Sequence, residues 1–140
     1  MSEIEEKVAI LQQLQREFEV LQRRIVELEI LANEYRKAVS SLEFLKSSES
    51  IVNALINFGG GVFGYAEIKE SKKFLVNVGS GIVIEKSVDD ALSFVKQRLE
   101  EVEKASAEAT NALRNVAIEA SKIQQELAEL SKKEREKKEK

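Results

Sequence analysis

Apolar residues in the first third of the chain recur at intervals that alternate between three and four: Leu11, Leu14, Phe18, Leu21, Ile25, Leu28, Ala32, Tyr35, Val39 and Leu42, with Ile4 one heptad further back. This is the a/d spacing of a coiled-coil seam, in which the apolar stripe occupies one narrow face of a helix. The last third repeats it through Val88, Leu92, Val95, Leu99, Val102, Ser106, Ala109, Leu113, Val116, Ala120, Ile123, Leu127 and Leu130, with Ser106 the single polar member. Glu, Lys, Arg and Gln dominate the remaining faces, so each stretch predicts one strand of a two-stranded coiled coil and not a helix buried all round.

Helix breakers are confined to the middle. All six glycines fall between Gly59 and Gly81, and the chain has no proline. The organisation predicted is residues 1–46 as a first helix, 47–87 as a turn-rich insert, 88–130 as a second helix and 131–140 as a charged tail, one domain overall. Ser87 with Asp90 three residues on forms an acidic capping box at the start of the second helix. Ile4–Leu45 and Val88–Leu130 are nearly equal, each roughly 63 Å long at 1.5 Å per residue, so they should pair as an antiparallel hairpin. Facing residue numbers would then sum to about 133, a figure set by levelling the two ends next to the insert. That register puts Ser106 and Ala109 near Ile25 and Leu28, and Val102 near Ala32, large against small.

Within the insert, alternation at period two predicts four short strands, about Val52–Phe58, Val62–Ile68, Lys73–Gly79 and Ile82–Lys86. Gly59-Gly60-Gly61, Lys69-Glu70-Ser71-Lys72 and Gly79-Ser80-Gly81 separate them. Val52, Ala54, Ile56 and Phe58 share one face of the first strand, with Ile51 and Leu55 on the other. Phe74, Val76 and Val78 share a face of the third, with Leu75 opposite. Two thin helices cannot cover apolar side chains on both faces, and open strand edges are an aggregation hazard unless an assembly closes them. Obligate oligomerisation follows.

Composition narrows the chemistry. With no His and no Cys, imidazole- or thiolate-bound zinc, cysteine nucleophiles, triads with an imidazole base and disulfides are unavailable. The 22 Lys and Arg against 25 Asp and Glu leave a net charge of −3, which gives no general electrostatic reason to bind nucleic acid, whose phosphates need clustered Lys and Arg. No signal-peptide core and no run of 18 apolar residues suggests a membrane, so a cytoplasmic protein is expected. Gly59-Gly60-Gly61-Val62-Phe63-Gly64 matches GxGxxG in form, but the alternation after it reads as strand, whereas a dinucleotide fingerprint must open a helix. The glycines instead suit a hairpin turn at positive φ. The carboxylates lie on outward helix positions among Lys and Arg, and a two-helix rod offers no desolvated pocket. Neither an enzyme nor a cofactor is expected.

The end farthest from the insert carries the more useful feature. There Ile4, Val8, Ile10, Leu11 and Leu14 should face Ile123, Leu127 and Leu130. Coiled-coil ends fray, and opened turns would expose a small apolar patch, each fully buried side chain being worth roughly 1.5–3 kcal/mol on contact with a client. Leu11, Leu14, Ile123 and Leu127 sit in register and can simply close the seam, so the better candidates are Val8 and Ile10, which lie off it, and the terminal Ile4. Residues 131–140, nearly all Lys, Arg and Glu, read as a solvated helix end.

Two equal heptad helices around a four-strand insert resemble the α-class subunit of prefoldin, a jellyfish-shaped hexameric holdase of archaea and eukaryotes. The stretch Phe74-Leu75-Val76-Asn77-Val78-Gly79-Ser80-Gly81-Ile82-Val83-Ile84-Glu85-Lys86-Ser87-Val88-Asp89-Asp90-Ala91 looks like the α-class strand, turn, strand and helix start. Asn53–Phe63 is similar to the first hairpin, with Asn57-Phe58 where the family more often has a proline before the glycines. The resemblance implies an α+β fold: an antiparallel two-helix coiled coil with two central β-hairpins that assemble into an inter-subunit β-barrel, two α-class with four β-class subunits. It implies assembly through Leu55, Ile56, Phe58, Val62, Phe63, Phe74, Leu75, Val76, Val78, Ile82 and Ile84. It also implies capture of non-native polypeptide without ATP and transfer to a group II chaperonin. By position, client contacts fall on Ile4, Val8, Leu11, Ile123, Leu127 and Leu130, to which the off-seam Ile10 is added.

Three functions compete. An ATP-independent holdase agrees with apolar tips, an oligomerising insert and the absence of catalytic residue types. A prefoldin-like scaffold or tether would share the fold but bind one dedicated partner. A nucleotide-dependent enzyme rests on the glycine run alone.

Overall fold

A computed structural model describes residues 2–139; the outermost residues of the first-helix and charged-tail stretches, 1 and 140, lie outside the described residues. The element order is α1 (Glu3–Ser47), β1 (Val52–Gly59), β2 (Val62–Ile68), β3 (Lys73–Gly79), β4 (Ile82–Ser87) and α2 (Val88–Glu139). Both long helices outrun their seams: α1 continues to Ser47, and α2 passes Leu130 and runs to Glu139 through the charged stretch read from sequence as a helix end. Oppositely charged residues spaced four apart, such as Glu134 with Lys138, can sustain a solvated helix without burying a face. Strands β1 and β4 each extend one residue further than the alternation predicts, because Gly59 pairs with Val62 across a bulge and Lys73 with Ser87.

The chain divides into two compact units, one made of the stretch up to Ile30 with the stretch from Val102 onward, the other of Leu31–Glu101. In the first, α1 and α2 run antiparallel: Lys7 meets Glu126, and the Ser106 hydroxyl donates to Glu29 Oε1 at 3.3 Å. These pairs have residue numbers summing to 133 and 135, close to the register expected from helix lengths. Leu14, Leu28, Val102, Ser106 and Ala109 are buried there. Ser106, the polar member of the seam, is tolerated because its hydroxyl has an acceptor.

In the second unit β1 pairs with β2 and β3 with β4, each antiparallel, as two separate two-stranded sheets. The turns are built alike. Asn57 Oδ1 accepts from the Gly59 N–H at 2.8 Å, Asn77 Oδ1 accepts from the Gly79 N–H at 3.0 Å, and a bulge follows each. Gly59 has φ +99° and Gly79 φ +125°, conformations that side-chain-bearing residues avoid. Asn-Phe-Gly-Gly-Gly-Val and Asn-Val-Gly-Ser-Gly-Ile are therefore two copies of one turn.

One lysine joins both helix ends to the strands. Lys72 Nζ donates to the carbonyl oxygens of Lys46 at 2.7 Å and Ser48 at 3.4 Å, capping the end of α1, while the Lys72 carbonyl accepts from the Val88 N–H at 2.8 Å. A cation at one helix's C-terminus and a carbonyl at the other's N-terminus each satisfy groups the helices leave unpaired. Ser87 Oγ accepts from the Asp90 N–H at 3.1 Å, the N-cap predicted from sequence. The first turns of α2 bury Val88, Ala91, Leu92 and Val95. Off the seam, the Phe94 ring lies 5.7 Å from Lys86 Nζ and 5.1 Å from Arg98 Cζ, and Arg98 reaches the Val78 carbonyl at 3.5 Å. These contacts dock the β3–β4 hairpin on its own helix.

Candidate functional site

Two surfaces carry the residues singled out by sequence, one in each unit. The first is the pair of hairpins. Cross-strand pairing puts Val52, Ala54, Gly64, Ala66 and Ile68 on the half-buried face of β1–β2, and Leu55 opposite Tyr65 on the outer face. In β3–β4 the half-buried apolar side chains are Phe74, Val76 and Val78, with Val76 paired to Ile84. Of the predicted assembly residues, Leu55, Ile56, Phe58, Val62, Phe63, Leu75, Ile82 and Ile84 are exposed in the single chain, Leu75 to 74%. Both hairpins thus present apolar side chains on two faces, a surface that one copy of the chain leaves open to water. Two members escaped the sequence reading. Tyr65 is 96% exposed, and Val83 is 53% exposed beside Asn77. The strand alternation contained both, but Tyr65 lay between the small residues Gly64 and Ala66 and Val83 on the face opposite Ile82 and Ile84.

The second surface is the antiparallel end where the start of α1 meets the end of α2. Val8 and Ile10 are exposed, at 39% and 45%, as their off-seam positions require. Ile4, Leu11, Ile123, Leu127 and Leu130 are half-buried, as expected of seam positions between two paired helices. The pair joining the helices here was not foreseen. Lys7 Nζ lies 2.5 Å from Glu126 Oε2, with side chains 21% and 35% exposed. The hydrogen bond to Glu126 raises the Lys7 ammonium above its ordinary value against a smaller opposing effect of burial, with Glu126, Glu3 and Glu6 adding attraction. The same bond holds the Glu126 carboxyl below its ordinary value, again against burial, and Lys7 and Lys122 add to it. Further along α1, Val20, Val26, Ile30 and Phe44 are also more than half exposed, off-seam residues that the heptad reading passed over.

No described helix is long and apolar enough to cross a membrane. The Gly59–Gly64 run forms a hairpin turn and the start of β2, so no helix N-terminus stands behind it to receive a pyrophosphate.

Comparison with known proteins agrees with this architecture. The model of the prefoldin subunit family matches residues 4–133. Prefoldin subunit alpha of Archaeoglobus fulgidus is 52% identical over 132 residues, covering 94% of this chain and 96% of that protein. Its counterpart in Thermofilum pendens is 35% identical over 106 residues, covering 76% and 82%. Among solved structures, the cryo-EM structure of filamentous PFD from Methanocaldococcus jannaschii matches with a TM-score of 0.67 at 19% identity, over 86% of this chain and 98% of that one, and shows the same fold. Long antiparallel helices, two open hairpins and a family match over nearly the whole length lead to one conclusion: the chain belongs to the prefoldin family of chaperone subunits.

Proposed function

We propose that this chain is the α-class subunit of an ATP-independent holdase, and that it captures non-native polypeptide at the antiparallel end of its helices. The observation that carries the reading is the exposure of Val8 and Ile10 beside a half-buried seam, which gives a charged coiled coil an apolar end. Burying such side chains against an unfolded client is favourable without any chemical step, so the function needs no catalytic group and no nucleotide. Assembly would proceed through the exposed apolar faces of both hairpins, forming a barrel with β-class subunits in a complex of two α and four β. The cytoplasm is the expected compartment, and a group II chaperonin the expected recipient of the client.

The test is suppression of aggregation of unrelated unfolded proteins by the complex with its β-class partner. Full-length chain is compared with a variant lacking residues 1–11 and 123–140, with mass measured by light scattering. Retained mass with lost suppression supports capture at the tips. An intact complex that never suppresses aggregation overturns the holdase reading in favour of a scaffold with one dedicated partner.

A further inference from the structure

The seam of α1 has an interruption near its distal end. Heptad spacing makes residue 7 an inward position, equivalent to Leu14, Leu21 and Leu28, yet a lysine stands there. Its side chain is only 21% exposed, and its ammonium meets Glu126 of α2. On its own helix Glu3, one turn back, and Glu6 attract it, but the partner its ammonium hydrogen-bonds is Glu126, across the seam.

We infer that the Lys7–Glu126 pair is a charge latch that sets how far the distal end of the coiled coil opens, and so how much of Ile4, Leu11, Leu127 and Leu130 is presented. Leucine at residue 7 would seal this end by apolar packing that salt does not weaken. A partly exposed ion pair holds more weakly and is screened by salt, which makes the end openable without weakening the buried seam beyond it. The raised Lys7 and lowered Glu126 titrations agree with a formed pair. The functional consequence rests on the proposed holdase reading: an opened latch gives more capture, a sealed one less.

The chain has no cysteine, so Leu127→Cys alone reports opening through its rate of maleimide labelling in the assembled complex. Lys7→Glu, which sets two carboxylates against each other, should raise the rate about two- to fivefold, the range a partly exposed ion pair sustains. Lys7→Leu should lower it, and Lys7→Glu with Glu126→Lys should return it to the parent value, which excludes simple misfolding. Added salt should speed labelling in the parent and not in Lys7→Leu. Equal rates in parent, Lys7→Glu and the swapped pair overturn the latch. Capture is measured in parallel on the cysteine-free variants. Labelling that responds while capture does not would leave the latch standing and remove the client role of the tips.

Discussion

The ring of Phe58 lies over Gly64 so closely that a Cβ on Gly64 would sit 2.3 Å from Phe58 Cε2. Gly64 is paired to Ile56, two residues before Phe58 on the same face of β1, so the aromatic ring fills the space left by the missing side chain. Phe58 is nevertheless 70% exposed, which leaves its outer surface available to another subunit.

Gly64→Ala should therefore swing the Phe58 ring away and leave the hairpin folded, since an exposed ring can move at little cost while the strand hydrogen bonds persist. The loss should appear in assembly, at roughly tenfold or about 1.4 kcal/mol. Light scattering against concentration checks it, and an unchanged dissociation midpoint would show that the ring's placement is irrelevant to assembly.

The two hairpin turns differ informatively at their second residue, Gly60 in one and Ser80 in the other, with φ +58° and +52°. A serine is already accommodated in that conformation, so Gly60→Ser should shift thermal stability little. Gly79→Ala places a side chain at φ +125° and should cost about 1–3 kcal/mol. Thermal unfolding followed by circular dichroism separates the two.

Replacing Phe74 and Val76 with Asp puts charge on the half-buried face of β3–β4. Burying such charges against a second subunit is unfavourable, and the expected product is a monomer with helix content retained. A double variant that still assembles to full mass would count strongly against the assembly role of this face.

The Lys7–Glu126 latch has a defined pH window. Glu126 is lowered on folding, so its contribution is present above the ordinary carboxylate value near pH 4.3 and is lost as pH falls through the folded value. Lys7 is raised, so its contribution is present below about pH 10.4 and is lost as pH rises through the folded value. Glu3 and Glu6 on α1 and Lys122 on α2 face the pair and shift the edges of that window. The distance between spin labels at Glu5→Cys and Glu129→Cys should stay constant between about pH 5 and pH 10 and broaden below pH 4. Lys7→Leu should suppress that change; equal broadening in both would assign it to other carboxylates.

The heptads from Leu11 to Leu42 and from Val88 to Leu130, and the glycine pairs that bound two short alternating strands apiece, determined the helices, the hairpins and the antiparallel pairing. Such periodicities act over a few residues, so the chain states them directly. Ser87 as N-cap was legible for the same reason. What only the tertiary structure decided lies between residues far apart in sequence. Which of many acids meets Lys7 depends on a register spanning 119 positions, and Phe94 takes its role from Lys86 and Arg98 closing on its ring. Lys72, read from sequence as part of a turn, turned out to cap α1 with its side chain and α2 with its carbonyl. A lysine in a polar loop carries no local sign of that, because a cap exists only once both helix ends have been brought to it.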